Sequence, residues 1–168
     1  SAFPVADAVS TATPLVAAGA GNMPSILTLF LGTHGGAIGE TCVLALLLGG
    51  MYLIVRGVIT WHLPVVYVAA VFLFTFLLNG FDAANALSMV LSGGLMLGAI
   101  FMATDYVTSP STAAGKAIFG VGAAVITVMI RFWGTYPEGT SFAILMMNIL
   151  TPYIDSWTSH KLFGGAKA

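Results

Sequence analysis

Apolar residues occur along this chain in long blocks that short polar connections separate. Five blocks occupy positions 37–56, 63–79, 83–104, 113–133 and 139–155. A helix that crosses about 30 Å of hydrocarbon needs about 20 residues, with roughly 17 as the lower limit. The blocks lack the alternating polarity of strands in a membrane barrel. We therefore predict an all-α integral membrane protein with about five transmembrane helices.

Two features interrupt this pattern. The apolar stretch 25–31 is too short to cross a bilayer, and the glycine-rich "GTHGGAIGE" follows it, so we interpret it as a re-entrant or surface half-helix. The third block is broken at its middle by Ser92, Gly93 and Gly94. Gly94 and Gly98 form a GxxxG pair, which at Gly98 favours close helix packing. Broken helices are also typical of proteins that hold a ligand or ion at membrane depth, so this function of the break stays open.

Composition supports the membrane assignment and argues against nucleic acid and metal ions as partners. Of 168 residues, 58% are hydrophobic and 7% are charged, and the mean hydropathy is +1.00. Five basic residues and a net charge of −1 provide no basic patch for nucleic acid. Cys42 is the only cysteine, and no two histidines have ligand spacing, so we expect no metal site. The chain starts at Ser1 without a basic n-region, so we expect no signal peptide and a longer parent protein.

The basic residues indicate an orientation. Arg131 falls on one side of the predicted membrane, and the other four fall opposite: Arg56, Lys116, Lys161 and Lys167. The positive-inside rule places that second side in the cytoplasm. We therefore predict an extracytoplasmic segment 1–24, a membrane domain 25–160 and a cytoplasmic tail 161–168.

Glu40 is an ionisable residue that a predicted span has to accommodate. It lies in the first turn of the first span, where the helix dipole favours a carboxylate. The preceding "HGG" would also let backbone approach a flat ligand. We favour the structural role, and we keep ligand contact as the alternative.

A second polar group lies at the predicted cytoplasmic boundary. Asp105 opens "DYVTSPST", which carries the hydroxyls of Thr108 and Ser109 and, further on, Thr112 as a helix N-cap. The alternative to a turn is a hydroxyl-lined pocket for the polar tail of a cofactor. On the opposite side, Arg131 and Glu138 flank one turn, and we expect them to pair with little gain in stability.

The segment "DAVSTATP", residues 7–14, precedes all the spans. Thr13 and Pro14 suit the N-cap and first position of a helix. That explanation leaves Asp7, Ser10 and Thr11 without a role.

Longer stretches of the chain resemble a known family. "SGGLMLGAIFMATDYVTSPSTAAGK" and "RFWGTYPEGTSFAILMMNILTPYID" are similar to the carboxy-terminal half of RnfD, a membrane component of the Rnf complex. "GGAIGET" fits RnfD and also its paralogue NqrB, from the sodium-pumping NADH:quinone oxidoreductase. Tyr106 favours RnfD, because the paralogue carries a different residue there.

The resemblance implies a flavin cofactor. Family members carry flavin mononucleotide (FMN), joined by a phosphoester to the last threonine of D-x-x-S-x-A-T, which a flavin transferase attaches on the outer face. The matching residues are Asp7, Ser10, Ala12 and Thr13. Relatives also hold a non-covalent riboflavin, and the "DYVTSPST" boundary, with Asp105, Thr108 and Ser109, is the candidate for part of its surroundings. Glu40 is a further candidate cofactor contact.

The resemblance also implies a function and a fold. Such a protein passes electrons between flavins during ferredoxin:NAD electron transfer, coupled to sodium or proton movement across a bacterial or archaeal cytoplasmic membrane. The family fold has about ten spans in two inverted halves, similar to urea transporters, and this chain is one half. The expected partners are the other Rnf membrane subunits, the missing amino-terminal half, the transferase and lipid. The alternatives are an NqrB-like component of the quinone reductase, a channel or transporter half without redox function, and a purely structural subunit.

Overall fold

The computed structural model describes residues 25–32, 42–135 and 138–159, and within these ranges all regular structure is helical. The α-helices are α1 (Ile26–Leu31), α2 (Val43–Val55), α3 (His62–Leu78), α4 (Ala83–Leu91), α5 (Leu95–Leu97), α6 (Ala113–Trp133) and α7 (Thr140–Thr158). A π-helical turn, Gly98–Met102, continues α5. The all-α prediction is confirmed for these ranges. The predicted segments 1–24 and 161–168 lie outside them.

Local capping explains several helix ends. The Ser25 hydroxyl accepts a hydrogen bond from Thr28 N at 3.3 Å, and Gly32 ends α1 in the left-handed region at φ 77°. A short helix is therefore present at the predicted position, and its re-entrant or surface location stays a prediction. Asp82 caps α4 by accepting from two backbone amides. Thr112 caps α6 by accepting from Gly115 N at 3.0 Å, as predicted.

The first predicted span differs at its start. Cys42 has extended backbone, with φ −107° and ψ 96°, and α2 begins one residue later at Val43. The predicted start was position 37. The 13 residues of α2 measure about 20 Å at 1.5 Å per residue. Glu40 lies outside the described residues.

The break predicted in the third span is confirmed. The chain bends by 68° between Ala83–Leu91 and Leu95–Met102. Ser92 is extended, with ψ 147°, and Gly93 has φ 72°, a region in which a side chain would be strained. The bend therefore depends on glycine at position 93.

Helices α3, α6 and α7 form the main packed layer. A Cβ built on Gly120 of α6 would lie 3.1 Å from Val66 Cγ1 and 3.3 Å from Tyr67 N on α3. A Cβ on Gly122 would lie 2.7 Å from Met147 Cε on α7. Small residues on two faces of α6 thus let both neighbours approach closely, as in membrane helix pairs.

Gly98 brings the bent helix against α7. A Cβ at this position would collide with Thr140 Cγ2 and would lie 3.3 Å from Ile144 Cδ1. The predicted role of Gly98 in close helix packing is confirmed. The contact places the first turn of α7 beside the bent helix.

Length and composition identify one membrane-crossing helix among the described residues, α6, or two if the bent pair counts as one span. The apolar helices α2 and α3 are shorter. Large apolar side chains are nevertheless exposed on several helices, including Val55 (79%), Ile149 (73%) and Trp157 (79%). Such surfaces are typical of membrane or partner contact. The number of five spans and the likeness to urea transporters stay predictions.

Candidate functional site

Polar groups gather at two places in the described part of the chain. The first is the helix break, defined here as residues 92–94 between α4 and α5. The second is the boundary pocket, a cavity of about 390 Å³ between the α2–α3 loop and the segment that precedes α6.

Arg131, in the last turn of α6, binds the carbonyl end of α4. Its Nη1 donates to Met89 O at 2.7 Å, and its Nη2 donates to Ser92 O at 3.4 Å. A helix carboxyl end carries about half a negative charge on its free carbonyls, so a guanidinium is favourable there. Arg131 thereby stabilises the end of α4.

Glu138 binds the other side of the break. Its Oε1 accepts a hydrogen bond from Gly94 N, the backbone amide just before α5. A carboxylate is favourable beside free amides at a helix start. Arg131 and Glu138, which we expected to pair with each other, thus both contact the break.

Buried hydroxyls lie near these charges. Tyr67 and Thr127 join α3 to α6 through a 2.8 Å hydrogen bond. Thr127 also donates to Ala123 O at 2.8 Å, so the proton between the two hydroxyls belongs to Tyr67. Thr140, 3% exposed, places its hydroxyl beside that of Tyr67, so it belongs to the same buried group.

The boundary pocket combines hydroxyls with one ammonium group. Its polar lining includes Thr60, Ser109, Ser111 and Lys116, and Leu63 and Pro110 form part of its apolar wall. Lys116 Nζ donates to Thr60 Oγ1 at 2.9 Å. The backbone amide and hydroxyl of Ser111 donate to Asp155 Oδ1 at 3.0 and 3.2 Å, which fixes the segment before α6 against α7.

The predicted boundary residues fall partly in this pocket. Ser109 lines it. The Thr108 hydroxyl donates to Asp105 Oδ2 at 3.1 Å, and Thr108 O accepts from Thr151 Oγ1 at 2.9 Å. Asp105 and Thr108 therefore shape the turn that leads into the pocket. Asp7, Ser10, Ala12, Thr13 and Glu40 lie outside the described residues.

Sequence reasoning missed two pocket residues, Thr60 and Lys116. Lys116 lies in the first turn of α6, where the helix dipole disfavours a positive charge. This unfavourable position was a signal that the ammonium group has another partner. Thr60 gave no comparable signal, because it comes from a loop 56 residues earlier.

The pocket suits a hydroxyl-rich group. Its volume lies near the lower end of the roughly 300–1,000 Å³ typical of small-molecule sites. The hydroxyls of Thr60 and Ser109 can each donate or accept, and Lys116 donates. The donor set therefore fits the polar chain of a ligand such as a polyol tail.

Comparisons with known proteins add an independent result. Residues 1–164 match the model of the NQR2, RnfD, RnfE family. The chain is 46% identical, over 98% of its length, to the D subunit of the Na(+)-translocating ferredoxin:NAD(+) oxidoreductase complex of Acetobacterium woodii. It is 41% identical, over 94% of its length, to the D subunit of the proton-translocating ferredoxin:NAD(+) oxidoreductase complex of Clostridium ljungdahlii.

A third relative is the D subunit of the ion-translocating oxidoreductase complex of Stutzerimonas stutzeri, 41% identical over 83% of this chain. The matches cover 52%, 52% and 40% of the three relatives, so the chain spans about half the length of the curated relatives it matches. The family match covers nearly the whole chain. This chain therefore belongs to the NQR2, RnfD, RnfE family.

Proposed function

We propose that this chain is the carboxy-terminal part of RnfD, a membrane component of a Rnf-type, ion-translocating oxidoreductase. The observation that carries the proposal is 46% identity to such a protein over 98% of the chain. The exposed apolar helices support placement in a membrane beside other subunits. Relatives named for sodium and for proton translocation are both similar, so the proposal covers either ion.

The proposed chemical role is electron transfer through FMN attached to Thr13. The support is the D-x-x-S-x-A-T pattern formed by Asp7, Ser10, Ala12 and Thr13, together with the family match across it. The flavin supplies the redox chemistry, and the protein positions it and adjusts its potential. A flavin transferase is the partner during maturation.

The boundary pocket is the proposed site for part of a non-covalent riboflavin. Ser109 and Thr60 offer hydroxyls, and Lys116 offers an ammonium group, to a ribityl chain. Asp105 and Thr108 would act indirectly, without touching the riboflavin, because their mutual hydrogen bond holds the turn that carries Ser109. We further propose that Thr13 faces the outer side of the cytoplasmic membrane and the carboxy terminus faces the cytoplasm.

Covalent flavin is tested by expressing the protein with the transferase and measuring in-gel flavin fluorescence after denaturation, with intact mass as a second readout. We expect one FMN per chain in the wild type and none in Thr13→Val. Thr11→Val is the matched control, since it removes a threonine hydroxyl two residues away and should keep full fluorescence. Fluorescence that persists in Thr13→Val, or is absent from the wild type, would refute the covalent site.

The second candidate is a channel or transporter half, and the 68° bend in a candidate span favours it. It differs from the first proposal in requiring no flavin. Ion flux through Thr13→Val protein in vesicles, at the wild-type rate and without an electron donor, would favour this function over the redox function.

A further inference from the structure

The helix break creates backbone groups that need partners. At a helix end the last carbonyls and the first amides lack the usual intrahelical partner. At this break Ser92 meets part of the need, since its amide donates to Ser88 O at 2.9 Å and its hydroxyl donates to Met89 O at 3.3 Å. In hydrocarbon each unsatisfied group costs several kcal/mol, so breaks occur where protein, water or a ligand supplies partners. The partners at this break therefore show whether it is arranged to hold a free ligand.

In transporters with broken helices, substrates and ions occupy these ends. Anionic groups lie at the amide end, and cations lie at the carbonyl end. In this chain, the Arg131 guanidinium lies at the carbonyl end, with donor distances of 2.7 Å to Met89 O and 3.4 Å to Ser92 O. The Glu138 carboxylate lies at the amide end on Gly94 N. A side chain of the appropriate charge thus contacts each end.

Both side chains come from one connection. Arg131 is in the last turn of α6, and Glu138 precedes α7 by two residues. The residues in contact are 39 to 44 positions apart in the sequence, and they connect the α6–α7 turn with the break. Gly98 packed on Thr140 holds the start of α7 beside the bent helix, so Glu138 lies within reach of Gly94.

We propose that Arg131 and Glu138 are positioning residues that hold the helix break from both ends. Their charged side chains lie in the places that free cations and anions occupy in transporters with broken helices. The break is then a joint fixed by the α6–α7 turn. A displacement of that turn moves the ends of α4 and α5 directly, because charge-assisted hydrogen bonds connect them.

The test is hydrogen exchange at the backbone amides of residues 93–98, measured by mass spectrometry on the full complex in lipid nanodiscs. Loss of a charge-assisted hydrogen bond should increase opening of the break at least about tenfold. We therefore expect exchange to rise by at least about tenfold in Arg131→Ala. The control Arg56→Ala removes an exposed arginine near the α2 end and should leave these amides unchanged.

Chemical rescue separates a lost contact from general damage to the fold. Ethylguanidinium added to Arg131→Ala should restore slow exchange at the break, whereas ethylammonium at equal concentration should restore less, because it lacks the planar pair of donors. Unchanged exchange in Arg131→Ala, or a rise that ethylguanidinium does not reverse, would overturn the role of Arg131.

Glu138 is tested with two variants. Glu138→Gln keeps an oxygen that can accept from Gly94 N, and it should keep most of the protection. Glu138→Ala removes the acceptor, and it should raise exchange at Gly94 and Leu95 by at least about tenfold. Equal exchange in the two variants would overturn the proposed hydrogen bond to the break.

Discussion

The contact between Gly98 and Thr140 provides the sharpest test of the helix packing. In a helix interior, Gly→Ala is favourable by roughly 0.5–1 kcal/mol, and Gly98 has helical φ and ψ of −61° and −45°. Its added Cβ would collide with Thr140 Cγ2, and overpacking of this kind costs about 1–3 kcal/mol. We therefore expect Gly98→Ala to reduce the free energy of unfolding by about 0.5–2 kcal/mol.

A double-mutant cycle isolates this contact. Thr140→Ser removes Cγ2 and keeps the hydroxyl, so the next obstacle to an alanine at position 98 is Ile144 Cδ1 at 3.3 Å. The end of an isoleucine side chain can move by a few tenths of an ångström. In the Thr140→Ser background we therefore expect Gly98→Ala to be neutral or stabilising, with a coupling energy of about 1 kcal/mol or more.

The assay is equilibrium unfolding of the solubilised protein, followed by circular dichroism. One kcal/mol corresponds to roughly 2–4 °C in Tm for a chain of this size. Gly49→Ala is the matched control, because its Cβ would meet only the end of the Phe101 ring, at 3.2 Å and beyond. Additive effects of Gly98→Ala and Thr140→Ser, or no destabilisation by Gly98→Ala alone, would refute the packing argument.

Two further outcomes are expected. Gly93→Ala and Gly80→Ala both put a side chain at a positive φ, 72° and 69°, which costs about 1–2 kcal/mol in each. Gly93 is buried, whereas a Cβ on Gly80 would meet nothing within 4 Å, so Gly93→Ala should reduce the free energy of unfolding by more. Equal costs in the same unfolding assay would contradict a packed break. Lys116→Met should lower the riboflavin extracted per complex while Arg56→Met does not, and equal riboflavin content in the two would contradict binding in the boundary pocket.

Much of the helical layout could be predicted from the sequence, because long apolar runs and capping residues are local signals. The bounds of α6, Ala113–Trp133, agree with the predicted span, and Thr112 caps it as expected. The start of α2 was placed too early, because Ala37 and Ile38 extend the apolar run and Glu40 suits a first helical turn. Hydropathy does not report that the backbone of Cys42 is extended.

The sites were less predictable, because their contacts are distant in sequence. "DYVTSPST" showed a concentration of hydroxyls, and Ser109 does line the boundary pocket. Its neighbour Thr60 comes from the α2–α3 loop, and only the packing of α3 on α6 brings it to Lys116. A polar cluster built from loops therefore appears in sequence as unrelated residues.

The contacts of the charged residues at the helix break were equally difficult to predict from the sequence. Arg131 and Glu138 are seven positions apart across one turn, so mutual pairing was the natural expectation. In the structure both contact backbone atoms at the break, on either side of Gly93. A side chain at a turn can find a free carbonyl or amide as readily as an opposite charge, and in a low-dielectric interior such a contact is strong. In membrane sequences, a helix break and the charged residues of a turn are therefore better considered together, because the break has backbone groups without partners and the turn has charged side chains that can hydrogen-bond to them.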